Sequence, residues 1–194
     1  MLAYRKTIVT APAAEPITST EAKLWLKEDG TDNDALVSSL ITAARQFVEK
    51  DYDCALVTQT WDLFLDGFPT DPADNKIQLG LSPVASVTSV SYIDTEGATQ
   101  TWASTNYVFD SSGLIPRMVL ASNATYPATQ SGRINSVTVR AVCGYGAASA
   151  VPETIKTAMK LMIALWYENR EDMPLTFMAR TARILLNNHF QFSS

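Results

Sequence analysis

The stretch LMIALWYENRED, residues 161–172, decides how this chain folds. Five aliphatic residues lead into Trp166 and Tyr167, and the chain then turns wholly polar from Glu168 to Asp172, with Pro174 just beyond. Read backwards to Pro152, the apolar positions Ile155, Ala158, Met159, Met162, Ile163 and Trp166 recur at helical spacing. Proline is favoured in the first turn of a helix, so Pro152 predicts the start. Pro174 disfavours helical geometry at Met173, so the helix should stop near Arg170–Asp172. A helix with an apolar stripe this wide needs a partner to bury it.

That partner lies at the other end of the chain. In TDNDALVSSLITAARQFVEKDY, Leu36, Val37, Leu40, Ile41, Ala44, Phe47 and Val48 form a second stripe. Asp32 suits the N-cap of this helix and Asp34 its first turn. Phe47 and Trp166 lie mid-stripe, so the two helices are expected to meet there. Leu40, Phe47, Ile155, Met162 and Trp166 are the predicted core residues. A shorter helix precedes them, from about Ser19 to Lys27. Thr18 and Glu21 have capping-box spacing, Ala22, Trp25 and Leu26 are expected inward, and Gly30 suits the end. The first residues, with Pro12 and Pro16, predict an extended arm rather than a core strand.

Between the long helices the period changes from helical to alternating. VTQTWDLFLDGFP, KIQLG, VASVTSVSYID, TQTWA, NYVFD, LIPRMVL and RINSVTVRAV predict six or seven strands, with DTEGAT as a hairpin turn. No crossover helices separate them, so they should pair antiparallel. The expected fold is therefore α+β: a helical core from both chain ends with an inserted antiparallel β-sheet domain. The expected divisions are an arm at 1–17, a helical core at 18–54 plus 151–173, a β domain at 55–150 and a C-terminal docking segment at 174–194.

Composition sets limits on chemistry. The chain has 194 residues, 46% apolar and 18% charged, with a net charge of −5. Such a field repels nucleic acid, and no cluster of Lys and Arg offers a basic face for it. Cys54 and Cys143 have no CxxC or histidine partner and predict buried thiols; a disulfide between them is left open. His189 is the single histidine, without a nearby nucleophile, so a triad or a histidine metal site is not expected. CGYGAAS resembles a dinucleotide fingerprint only superficially, because Ser149 stands where the third glycine belongs and no strand follows to complete a βαβ unit. Asp32 and Asp34 lack the glycine and closing glutamate of a calcium loop. Glu168, Glu171 and Asp172 read as a solvated helix end. No catalytic, cofactor or metal site is predicted. The N-terminal residues lack the apolar core of a signal peptide, and the longest apolar run is too short to span a bilayer, so no membrane association is expected.

The tail LTFMARTARILLNNHFQFSS carries Arg180 and Arg183 and no acid, with Leu175, Met178, Ala182, Leu185 and Leu186 on one side. A segment of this length needs a surface on which to fold. Two are open to it: a partner, with Leu175, Phe177, Met178, Arg180, Arg183, Leu185 and Phe190 as the docking residues, or the chain's own helices.

The ordered set of TSTEAKLWLKED, DNDALVSSLITAARQFVEKDYDCALVTQTWDLFLDGFP, IQLGLSPVASVTSVSYIDTEG, YVFDSSGLIPRMVL, VTVRAVCGYG and VPETIKTAMKLMIALWYENRED resembles the head–tail connector (adaptor) proteins of tailed bacteriophages and gene transfer agents. The resemblance covers about residues 15–173. It implies a structural, non-enzymatic virion protein, made in the host cytoplasm and placed in the neck. It further implies a ring of identical subunits, commonly a dodecamer, beneath the portal protein and above a tail or stopper protein. Double-stranded DNA would pass through the channel without sequence recognition, and the C-terminal segment would dock on the portal. From another class, a β-domain binding a ligand or peptide on a helical stalk remains the alternative.

Overall fold

The computed structural model describes residues 5–70, 76–113, 115–169 and 180–190. The chain is an α+β mixture that divides into two compact units: Met1–Ala11 with Thr58–Gly144, and Pro12–Val57 with Tyr145–Ser194. The first holds the strands and the second the helices.

The helical unit contains α1 (Ser19–Leu26), α2 (Asp34–Asp51), α3 (Glu153–Glu168) and α4 (Arg180–Phe190). Its first helix starts where a local signal fixes it. The Thr18 side chain accepts from the Glu21 N–H, and the Glu21 carboxylate accepts from the Thr18 N–H at 2.8 Å. Such a box satisfies two orphan donors at once. The end differs from expectation: Lys27, not Gly30, takes the left-handed cap conformation at φ 56°. The start of α2 differs too. Asn33 occupies the N-cap, and Asp34 in the first turn pairs with Lys23 of α1 at 2.6 Å.

Both long stripes are buried. Val37, Leu40, Ile41, Ala44 and Val48 of α2 share one cluster with Ile155, Ala158, Met159, Met162, Ile163 and Trp166 of α3. Phe47 packs against this cluster and meets Trp166 edge to face at a centroid distance of 6.2 Å. Pro152 caps α3 as expected, but the helix ends at Glu168, two residues short of the predicted range. There the Asn169 side chain donates to the Leu165 carbonyl at 2.9 Å, capping the last turn before proline can act. One charged network lies inside. Arg45, 7% exposed, donates to Glu49 at 2.8 Å and to Glu15 at 2.7 Å, while Glu49 accepts from the Leu56 N–H.

The sheet unit contains β1 (Arg5–Thr10), β2 (Gln59–Leu65), β3 (Lys76–Gln78), β4 (Val84–Ile93), β5 (Thr99–Trp102), β6 (Tyr107–Asp110), β7 (Arg117–Leu120) and β8 (Val137–Cys143). They form a five-stranded sheet in the order β1-β2-β8-β4-β5 and a three-stranded sheet in the order β3-β7-β6, antiparallel throughout. Alternation sets the faces. In β8, Val137, Val139, Ala141 and Cys143 are buried, while Arg140 points out and chelates Asp62 of β2 through two 2.8 Å bonds. An aromatic cluster joins the sheets: Trp102 of β5 lies 5.2 Å from Tyr107 of β6, 5.1 Å from Phe68 and 5.4 Å from Tyr126.

The N-terminal segment is extended, and the structure adds what the sequence did not show. Residues 5–8 pair with β2 from Arg5↔Phe64 to Ile8↔Trp61, making the arm an edge strand. Its pairing partner lies more than fifty residues away, which a local pattern of prolines cannot reveal. The arm also ends earlier than predicted, because Pro16 and Ile17 are buried in the helical unit.

Candidate docking surfaces

The helix α4 shows two faces. Inward, Ala182 and Leu186 are fully buried, and Leu185 and Phe190 pack against the helical core. Polar contacts fix its far end. Tyr52 at the end of α2 stacks on Phe190 at 4.7 Å and donates its hydroxyl to Asn187 at 2.7 Å. The Tyr145 hydroxyl lies 2.9 Å from His189 Nε2, and burial lowers the pKa of that imidazole. Burial also pushes the Tyr145 phenol up to about 12.

Outward, Arg180, Thr181, Arg183, Ile184 and Asn188 are exposed. Ile184 is 49% exposed and follows Arg180 at the i, i+4 spacing that puts two residues on one helix face. Neither arginine makes an ion pair among the described residues. Of the predicted docking residues, then, Leu185 and Phe190 lie against the chain's own core, whereas Arg180 and Arg183 face out. Leu175, Phe177 and Met178 lie outside the described residues. The physical reason for the split is the wheel itself. Ala182, Leu185 and Leu186 fall on one side and Arg180 with Ile184 opposite, while Arg183 lies on the flank beside Phe190 and Tyr52.

A second surface is formed by α1 and the loop after it. Ala22 is its one fully buried residue, while Leu24 is 81% and Trp25 46% exposed. Trp25 was expected inward and is not. A helix of 8 residues with one small buried contact carries too weak a period to fix its roll. Glu21 shares the outward face with Leu24 and Trp25 at helical spacing. The Tyr167 hydroxyl of α3 donates to Glu28 at 2.7 Å and holds the end of α1 in place. The loop folds back on the helix, since Lys23 donates to the Gly30 carbonyl. Asp29 and Asp32 in this loop are exposed. Sequence reading missed Leu24 as a surface residue. Its position off the Ala22–Leu26 side was the available signal.

Among the described residues of the sheet unit the exposed large apolar ones are Ile8 and Val9 on β1, Val108 on β6, and Ile115 and Ile134 in loops. Core residues Leu40, Ile155, Met162 and Trp166 are buried in the helical unit. Cys54 and Cys143 are free and buried. Burial pushes the Cys143 thiol up to about 12 and the Cys54 thiol higher still, which keeps both protonated and unreactive. Among the described residues no group of His, Cys, Asp and Glu could hold a metal ion, and no helix is long and apolar enough to cross a membrane. Gly144 and Gly146 of the CGYGAAS segment have φ of 114° and 125°, a connector only glycine makes easily.

The described residues thus form an antiparallel sheet unit and a helical unit whose two short helices expose charged and apolar side chains. The sequence pattern of the head completion protein family matches residues 15–184, and the chain belongs to that family. It is a structural protein of the head–tail connector type. Its fold is similar to a chain in the neck of an empty gene transfer agent particle computed with C6 symmetry. That match has TM-score 0.78 and 23% identity over 95% of this chain and 94% of that one. A chain in the virion of a native gene transfer agent particle matches with TM-score 0.77 and 24% identity, over 94% and 93% of the two chains. A third, in the neck of a native particle computed with C12 symmetry, has TM-score 0.66 and 21% identity over 98% and 94%. No curated protein matches the chain.

Proposed function

We propose that this connector forms a closed ring of identical subunits, a dodecamer, between the portal and the tail or stopper protein, and so extends the DNA channel through the virion neck. The reading is carried by one observation: a family match over residues 15–184 that coincides with a neck-like fold along nearly the whole chain. Each subunit then contacts its neighbour by a heterologous interface that closes by rotation. The net charge of −5 suits a wall past which DNA slides, because a channel that neutralised phosphates would grip its cargo. The role is mechanical and needs no catalytic group. In this reading residues 174–194 are the docking element toward the portal or a neighbouring subunit. Leu185 and Phe190 fix its helix on the subunit's own core, and Arg180 and Arg183 carry its outward charge.

Mass photometry tests the proposal. The free protein is expected as a monomer or loose oligomer. Added to purified rings of its cognate portal, it should raise their mass in one step that corresponds to a full ring. A tight dimer both with and without portal would contradict the proposal.

A further inference from the structure

The two exposed helix faces of the helical unit are complementary. On α1, Leu24 and Trp25 are exposed with Glu21 at helical spacing, and Asp29 and Asp32 are exposed in the loop that follows. The cations close to that face are Lys27 at the helix cap, Lys23, which is committed to Asp34, and Lys156 and Lys160 of α3 on the side of Glu21. On α4, Ile184 is exposed one turn beyond Arg180, with Arg183 on the flank toward Tyr52 and Asp51 and no acid in the helix itself. Each face therefore sets exposed apolar side chains beside charge: Glu21, Asp29 and Asp32, interrupted by Lys27, on the first, and Arg180 and Arg183 on the second. Two copies of either face would meet like charge against like. One of each would meet opposite charges, which steers encounter and fixes orientation.

We propose that the outward face of α4 docks on the outward face of α1 of a second copy of this chain, with Ile184 against Leu24 and Trp25, and Arg180 and Arg183 against Asp29 and Asp32. The inference rests on the ring reading and names the contact that makes the ring. Because the two faces differ, every copy offers one of each, and the contact repeats head to tail around an axis. The contact is small. It involves a handful of side chains a side, where a stable interface uses about 20–30. Free subunits should consequently associate weakly, and a template that gathers many of them should be needed to close the ring.

Cysteine cross-linking on the cognate portal rings tests the pairing, since native Cys54 and Cys143 are buried and do not compete. Leu24→Cys and Ile184→Cys proteins, mixed under mild oxidation, should give a dimer that contains one of each. The doubly substituted protein should give a ladder of multimers. Charge reversal supplies a readout independent of the new thiols. Arg180→Glu/Arg183→Glu should abolish ring closure, Asp29→Arg/Asp32→Arg should do the same, and the mixture should form α1–α4 contacts again between unlike copies. Dimers that link Leu24→Cys to itself would overturn the proposal in favour of a two-fold contact. Rings that form on the portal without any α1–α4 cross-link would overturn it while leaving the ring reading intact. Cross-links from Ile184→Cys to the portal itself would assign this face to the portal and also overturn it. If no ring forms on the portal even with the unsubstituted protein, the ring reading fails first.

Discussion

The two units of this protein bury themselves by different means. The helical unit draws its core from both ends of the chain, and fills it with aliphatic residues and the methionines Met159 and Met162 around a single tryptophan, Trp166. The sheet unit pins its two sheets with a cluster of rings: Phe68, Tyr92, Trp102, Tyr107 and Tyr126. Their surfaces differ as well. Exposed apolar residues of the sheet unit are scattered over one edge strand, a short strand and two loops. Among the described residues, those of the helical unit are confined to two short helices, Leu24 and Trp25 on α1 and Ile184 on α4, each beside charged residues. Scattered apolar residues need no explanation, whereas grouped ones mark places of contact. The contrast is why the proposed self-association is placed on the helical unit.

The largest expected effect comes from the helical core. Trp166 is 3% exposed, so Trp166→Ala should destabilise by about 3–5 kcal/mol in urea or thermal unfolding. Hydrogen exchange read by region sharpens the comparison: protection should fall in α2 and α3 first. Next comes the buried network. Arg45→Leu removes the cation from the buried Glu49 carboxylate and should cost about 3 kcal/mol. Adding Glu49→Gln, which keeps an acceptor for the Leu56 N–H, should recover part of that loss. In the sheet unit, Trp102→Leu keeps apolar bulk but loses ring geometry with three partners. It should cost about 1–2 kcal/mol, with the exchange changes confined to the strands. Equal loss of protection in both units from either tryptophan substitution would break the comparison.

Smaller effects probe the two short helices. Thr18→Ala removes the capping box and should cost about 1 kcal/mol. Its signature is loss of protection at the first turn of α1. At α4 the readout is pH. Burial holds the native pKa of His189 below its ordinary 6.5, so the unfolded chain binds the proton more readily. Stability is then complete above the unfolded pKa and declines as pH falls from there toward the native value. Melting curves at several pH values should show this decline, and His189→Gln should reduce it. An unchanged pH profile in that variant would assign the decline to other groups.

How much of this was legible in the sequence depended on how local the signal was. The capping box of Thr18 and Glu21, the α2 and α3 stripes and the antiparallel strands were readable because neighbours within a few residues carry them. The pairing of β1 with β2 was not, since an edge strand's partner is set by long-range register. The roll of α1 was misread at Trp25 because two apolar residues side by side fit two faces of a short helix. At α4 the stripe was readable but its occupant was not: a stripe of Ala182, Leu185 and Leu186 fits a partner and the chain's own α3 equally well. Packing on the subunit's own core also changes what a truncation measures. A chain cut after Met173 would lose Ala182 and Leu186 from its core and lose stability before any docking could be judged. Substitutions at the outward Arg180, Arg183 and Ile184 avoid that confusion.

The most direct test of the connector reading is electron cryomicroscopy of the purified protein mixed with its cognate portal. The account predicts a closed ring of about twelve copies, coaxial with the portal and open at its centre to a DNA duplex, with the helical units forming the subunit contacts. Portal particles that stay bare, or that carry isolated copies without a common axis, would contradict it.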